Sequence, residues 1–126
     1  MKKLLLPLAA LLSIFLLAAV NGNFIARSTE RWQAQISQAE AWAVQTQWDK
    51  AITILEASYR DWESAQGFLH IVLEHDAVDN AEAMYHRAIA FALAEEPSEF
   101  RAETAHLRTQ LHLLAEMEKF SIKNVL

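Results

Sequence analysis

Apolar residues return every three or four positions along most of this 126-residue chain. From Arg27 to Gln45 they are Trp32, Ile36, Ala39 and Ala43, with Trp42 beside them; from Gln47 to Glu63 they are Trp48, Ala51, Ile52, Leu55, Tyr59 and Trp62. From Gly67 to Leu93 the stripe opens with Phe68, Ile71 and Val72 and closes with Ile89 and Leu93. Between Ser98 and Glu118 it consists of Phe100, Leu107, Leu111, Leu114 and Ala115. This spacing gathers apolar side chains on one face of an α-helix and does not match the alternation of a half-buried strand. The pattern predicts four amphipathic helices.

Local chemistry places the breaks. Thr46-Gln47-Trp48-Asp49 has the layout of a capping box, with aspartate in place of glutamate, and predicts a helix start. Glu96-Pro97-Ser98-Glu99 predicts one helix ending and another opening, because proline cannot continue a helix but suits its first turn. Gly67 is the predicted weak point between the second and third helices. Connections this short favour antiparallel neighbours in a small bundle. The segment "WDKAITILEASYRDW" has a tetratricopeptide flavour, but no second copy follows at a fixed offset, which disfavours a repeat array.

The first 25 residues follow another rule. Lys2 and Lys3 precede "LLLPLAALLSIFLLAAV", an uncharged run with no polar stripe. Its seventeen residues, Leu4 to Val20, rise about 25 Å as a helix, slightly short of a hydrocarbon core of roughly 30 Å. Phe24 and Ile25 can supply the missing length at the interface. Two readings stand: a signal peptide cut near Val20-Asn21-Gly22, a poor site, or an uncleaved signal anchor, which is favoured. In both, the lysines stay in the cytoplasm and the rest is exported. The first bundle helix is free to run on from the anchor.

Composition narrows the picture further. Two glycines and two prolines are too few for a turn-rich β protein. No cysteine is present, which excludes disulfides, thiolate ligands and a cysteine nucleophile. With Lys2 and Lys3 set aside, nine of the eleven basic residues remain against sixteen acidic ones, a formal charge of −7. Such a domain does not match nucleic acid, which needs a basic footprint, and it is repelled by anionic lipid. The expected fold is all-α: a transmembrane or signal-anchor helix over residues 1–25, then a small antiparallel four-helix bundle over residues 26–126 outside the cytoplasm.

Candidate chemistry concentrates in "FLHIVLEHDAVDNAEAMYHR", Phe68 to Arg87. On one helical wheel with His75 at the origin, Asp79 falls near 40°, Glu82 near 340° and His86 near 20°. Phe68, Ile71, Ile89 and Leu93 share that wedge. The pattern therefore predicts that His75, Asp79, Glu82 and His86 point inward as a structural polar network. Asp79 would serve His75 and Glu82 would serve His86, with Arg31, Arg60, Arg108 or a tryptophan indole as partners across the bundle. The alternative is a metal site on the same four residues. It lacks support from a paired Glu-x-x-His motif, of which Glu103 and His106 form a lone example. No nucleophile elbow, phosphate loop or oxyanion device accompanies these residues, so no catalytic residue, enzyme activity or cofactor is expected. His106 and His112 fall on flanking, surface positions. The tryptophans fall on core stripes. The tail "FSIKNVL", with Phe120, Ile122, Val125 and Leu126, is expected to pack back on the bundle, or alternatively to dock on a partner.

Several of these segments together resemble a known family. They are the Lys-led hydrophobic N-terminus, "QWDKAITILEASYRDW", Glu74-His75, Val78-Asp79-Asn80 with Glu82, and the closing Glu118-Lys119-Phe120-Ser121 and Asn124-Val125-Leu126. The chain is similar to the small bacterial membrane-anchored proteins of the domain of unknown function 4363 family. Ala77 and Ala81 stand where bulkier or charged residues are expected, and His86 is atypical. The resemblance implies a bacterial, anchored, helical domain and carries no activity with it. The combined expectation is a single-pass protein, anchored through residues 4–25. It would act by contact with another envelope protein, or alternatively as a metal- or ligand-binding sensor.

Overall fold

A computed structural model describes the backbone of residues 2–125 and the side chains of residues 3–120 and Lys123. It is all helix and short turn: α1 spans Lys2–Val44, α2 Trp48–Val72, α3 His75–Leu93 and α4 Pro97–Val125. The expected all-α fold with a long apolar first helix is present. α1 packs against α2 and α4, and α3 packs against the same two, so four antiparallel neighbours close a ring around one core.

α1 changes character along its 43 residues. Its first turns expose their apolar side chains: Leu4 is 76%, Leu6 79% and Leu16 66% accessible. From Ile25 onward the same helix turns amphipathic and buries Ile25, Trp32, Ile36 and Ala39 completely. Its most apolar window has a mean hydropathy of 2.4 with none of it buried, so this one helix is long and apolar enough to cross a membrane. Pro7 lies inside α1, within its exposed apolar segment.

The core combines a cluster of large aromatic rings with small side chains on α3. Trp32 of α1 meets Trp62 of α2 edge to face at 5.3 Å, and Trp62 meets Tyr85 of α3 at 5.7 Å. Trp48 and Phe100 make a similar pair at 5.3 Å, closing α2 onto α4. On the same face of α3 as Tyr85, Ala81, Ala88 and Ala92 are fully buried. The tryptophans lie where the core stripes place them: Trp32, Trp48 and Trp62 are buried and Trp42 partly so.

The turns depart from expectation in an instructive way. α1 ends in a Schellman arrangement: Thr46 has φ of 58°, its N–H donates to Ala43 O at 2.9 Å, and Gln47 N–H donates to Trp42 O at 2.9 Å. α3 repeats it, with Glu95 at φ of 52°, its N–H on Ala92 O at 3.1 Å and Glu96 N–H on Phe91 O at 3.0 Å. Both left-handed positions are occupied by non-glycine residues. The capping box expected at Thr46 is not formed, because Gln47 is the N-cap and makes no side-chain cap bond.

Gly67 does not break the chain. It sits inside α2, which continues to Val72 before Leu73 turns extended at φ of −120° and ψ of 165°. Leu73 is nearly buried, whereas Ile71 is 82% exposed. The corner forms where it lets Leu73 reach the core, two residues before α3 begins. α4 runs past the expected Glu118 boundary to Val125. Of the tail, Phe120 is 65% exposed and does not fold back. Ile122, Val125 and Leu126 lie outside the described side chains.

Candidate functional site

The corner between α2 and α3 brings the candidate polar residues together, but not as one inward stripe. α3 buries Val78, Ala81, Tyr85, Ala88 and Ala92. The side chains of His75, Asp79 and His86 are 72%, 49% and 61% accessible, and that of Glu82 is 31% accessible. The expected internal network is thus a surface seam. The bend at Leu73-Glu74 puts Phe68 and Ile71 on a different helix axis from His75, Asp79, Glu82 and His86. Within α3 the polar stripe lies about 100° around the axis from the residues that reach the core.

The seam has two parts. In the upper one, Gln66 Nε2 donates to Glu82 Oε2 at 2.9 Å and the Tyr59 hydroxyl donates to Glu82 Oε1 at 3.2 Å. The same hydroxyl lies 3.2 Å from His86 Nε2, and the two rings meet tilted, their centroids 4.9 Å apart. Burial, with the Glu82 carboxylate beside it, pushes the Tyr59 hydroxyl above its ordinary pKa. Glu82 and His86 themselves are 3.9 Å apart. Tyr59 is what α2 contributes here, and it holds Glu82 as a hydrogen-bond acceptor.

In the lower part, Asp79 sits between two imidazoles. His75 Nε2 is 3.3 Å from Asp79 Oδ2, and His70 Nε2 is 3.5 Å from Asp79 Oδ1. The two rings lie 4.4 Å apart. His70 comes from the last turn of α2 and is only 23% exposed; its Nδ1 is buried with no hydrogen-bond partner among the described residues. No role is expected of His70 from its position in the chain. The His70–His75 spacing carries meaning only once the chain is known to turn at Leu73-Glu74, which no glycine or proline announces.

The arginines expected across the bundle serve other carboxylates. Arg31 donates to Asp61 through Nε at 2.8 Å and through its terminal nitrogen at 2.6 Å, and Trp32 Nε1 donates to the same oxygen at 2.8 Å. Arg108 pairs with Glu40, Nε to Oε1 at 2.7 Å. Arg60 is exposed. Glu103 of the lone Glu-x-x-His pair is held by Arg87 at 2.6 Å, while His106 is exposed, as is His112. Buried Tyr85 hydrogen-bonds Ser58 at 2.8 Å, and burial pushes its hydroxyl upward.

Comparison with known proteins adds one match. The profile of the family described as Domain of unknown function (DUF4363) fits residues 20–125, from just before the first buried residue of α1 to the end of α4. No curated protein and no solved structure gave a significant match.

Proposed function

The chain belongs to the DUF4363 family, and from that premise we propose that it is a single-pass membrane protein whose bundle lies outside the cytoplasm. It works without catalysis, by holding a contact surface for another envelope protein at a fixed height above the bilayer. The supporting observation is the continuity of α1. One unbroken helix carries the exposed apolar segment and then, from Ile25, the bundle core. Forty-three residues of helix measure about 65 Å. A rigid tether of that kind fixes the bundle's orientation, which a flexible linker would not. The basic Lys2 and Lys3 and the acidic bundle support an orientation with the N-terminus inside.

The end of the bundle farthest from the anchor offers the contact surface. Val44 and Leu93 are 76% and 64% exposed there. Beside Val44 lies a cleft of about 480 Å³ lined by Glu40, Ala43, Pro97, Phe100 and Arg101. The chain has no cysteine, so a single cysteine at exposed Thr53 or Glu99 reports topology cleanly. A membrane-impermeant maleimide is expected to label both positions in intact cells. A photo-crosslinker at Val44 or Leu93 is expected to give one adduct, shared by both sites and absent from exposed Thr109. Labelling only after lysis, or adducts spread equally over all three positions, overturns this reading.

The sensor reading does not rest on His75, Asp79, Glu82 and His86 as one site. Tyr59 and Gln66 engage Glu82, while Asp79 faces His70 and His75.

A further inference from the structure

We propose that His70, His75 and Asp79 bind a divalent transition-metal ion of the zinc type at the corner where α2 gives way to α3. One ligand atom from each residue can be chosen so that all three lie within 4.8 Å of one another. Their separations discriminate between two explanations. At 3.3 and 3.5 Å, the ring nitrogens stand farther from the Asp79 oxygens than the roughly 2.7–3.2 Å of an N–H···O hydrogen bond. The two imidazoles face different oxygens of Asp79, each at roughly the 3.4 Å ligand–ligand edge of a tetrahedron whose metal–ligand bonds are about 2.0–2.1 Å, and one ligand atom from each residue can be chosen with all three within 4.8 Å.

The donor set agrees with the geometry. Two imidazoles and one carboxylate suit zinc, and three protein ligands leave a fourth position for water or a donor from a partner. His75 and Asp79 are one turn apart on α3, and His70 joins them from α2, so the ion would clamp two helices across their corner. The corner is already fixed by the inward Leu73, whose N–H donates to Leu69 O at 2.8 Å. The ligands are thus carried on helices rather than on a loop, which favours a pre-formed site. Glu74 and Asp76, both exposed, flank His75 and add negative potential that draws a cation in. His70 is the mostly buried member of the three and presents Nε2 toward Asp79, so this is the nitrogen it offers to an ion.

The test uses the full chain, without a histidine tag, in detergent micelles, with Zn²⁺ competed against a chromogenic chelator. One Zn²⁺ per chain is expected, with a Kd of about 10 μM or below. His75→Gln and Asp79→Asn are expected to weaken it by more than about 100-fold, since losing mere outer-sphere partners already costs roughly 10–100-fold. His86→Gln and His112→Gln should leave it unchanged. Co²⁺ in place of Zn²⁺ should give the intense visible bands of a four-coordinate site, lost in the same two variants. His75 is largely exposed, so His75→Gln keeps its fold, which metal-free circular dichroism verifies. Absence of saturable binding, or equal affinity in the parent chain and His75→Gln, overturns the proposal.

Discussion

Asp61 on α2 and Asp79 on α3 are comparably exposed carboxylates, 37% and 49%, and each faces two side chains that can donate to it. Asp61 is closed by protein atoms alone: three N–H groups from Arg31 and Trp32 reach one oxygen within 2.8 Å. One of those donors is the indole of a fully buried tryptophan, so the surface pair is tied to the core. Asp79 has imidazoles at 3.3 and 3.5 Å and nothing shorter among the described residues. The difference teaches that proximity of opposite-tending groups is not itself a bond. The α1–α2 seam is a finished fastener, whereas the lower α2–α3 seam has its groups in place at the wrong distances for one another.

The largest effect that would test this contrast lies beneath Asp61. Trp62→Ala removes the ring between Trp32 and Tyr85 and is expected to cost about 3–5 kcal/mol in denaturant unfolding. A loss under about 1 kcal/mol would mean that the aromatic cluster is not the main core. Asp61→Ala follows, at about 1–3 kcal/mol, because the Trp32 indole N–H is left without its partner. Gly67→Ala should raise stability by roughly 0.5–1 kcal/mol, since a helical glycine is penalised and its Cβ would meet open space. A loss there would restore Gly67 as a helix break.

Glu118 supplies a pH signature. It continues the buried stripe of α4 after Leu111 and Leu114, and burial raises its pKa. A carboxyl whose folded pKa exceeds its unfolded one keeps its proton longer in the native state. Its favourable contribution is complete below the unfolded pKa and is lost as pH rises through the folded one. Glu118→Gln should therefore flatten the decline in melting temperature on going from acid to neutral pH, and a steeper decline would contradict the assignment. The smallest effect is expected at Asp79. In metal-free buffer, Asp79→Ala should change stability by no more than about 0.5 kcal/mol, in contrast to Asp61→Ala.

Four helices were legible because each carries enough large apolar residues at helical spacing, from Trp32 and Ile36 to Leu107, Leu111 and Leu114. The corners were less so. Thr46 and Glu95 occupy left-handed positions that glycine usually marks, while Gly67, the residue that looked like a break, is helical. The candidate site suffered from the same blindness. Three of the five buried residues of α3 are alanines, too small to announce a face, and Ile89 and Leu93 drew the apparent stripe toward the polar residues. Leu93 is in fact 64% exposed. Against the face that Val78, Ala81, Tyr85, Ala88 and Ala92 bury, the polar residues of α3 fall on the flank, and His70 enters from α2.

The most direct measurement is the zinc content of three untagged chains, the parent, Asp61→Asn and Asp79→Asn, after dialysis against Zn²⁺ at about 100 μM. The contrast between a closed and an open carboxylate predicts one equivalent in the parent and in Asp61→Asn, and none in Asp79→Asn. Equal zinc in all three, or none in any, would contradict it.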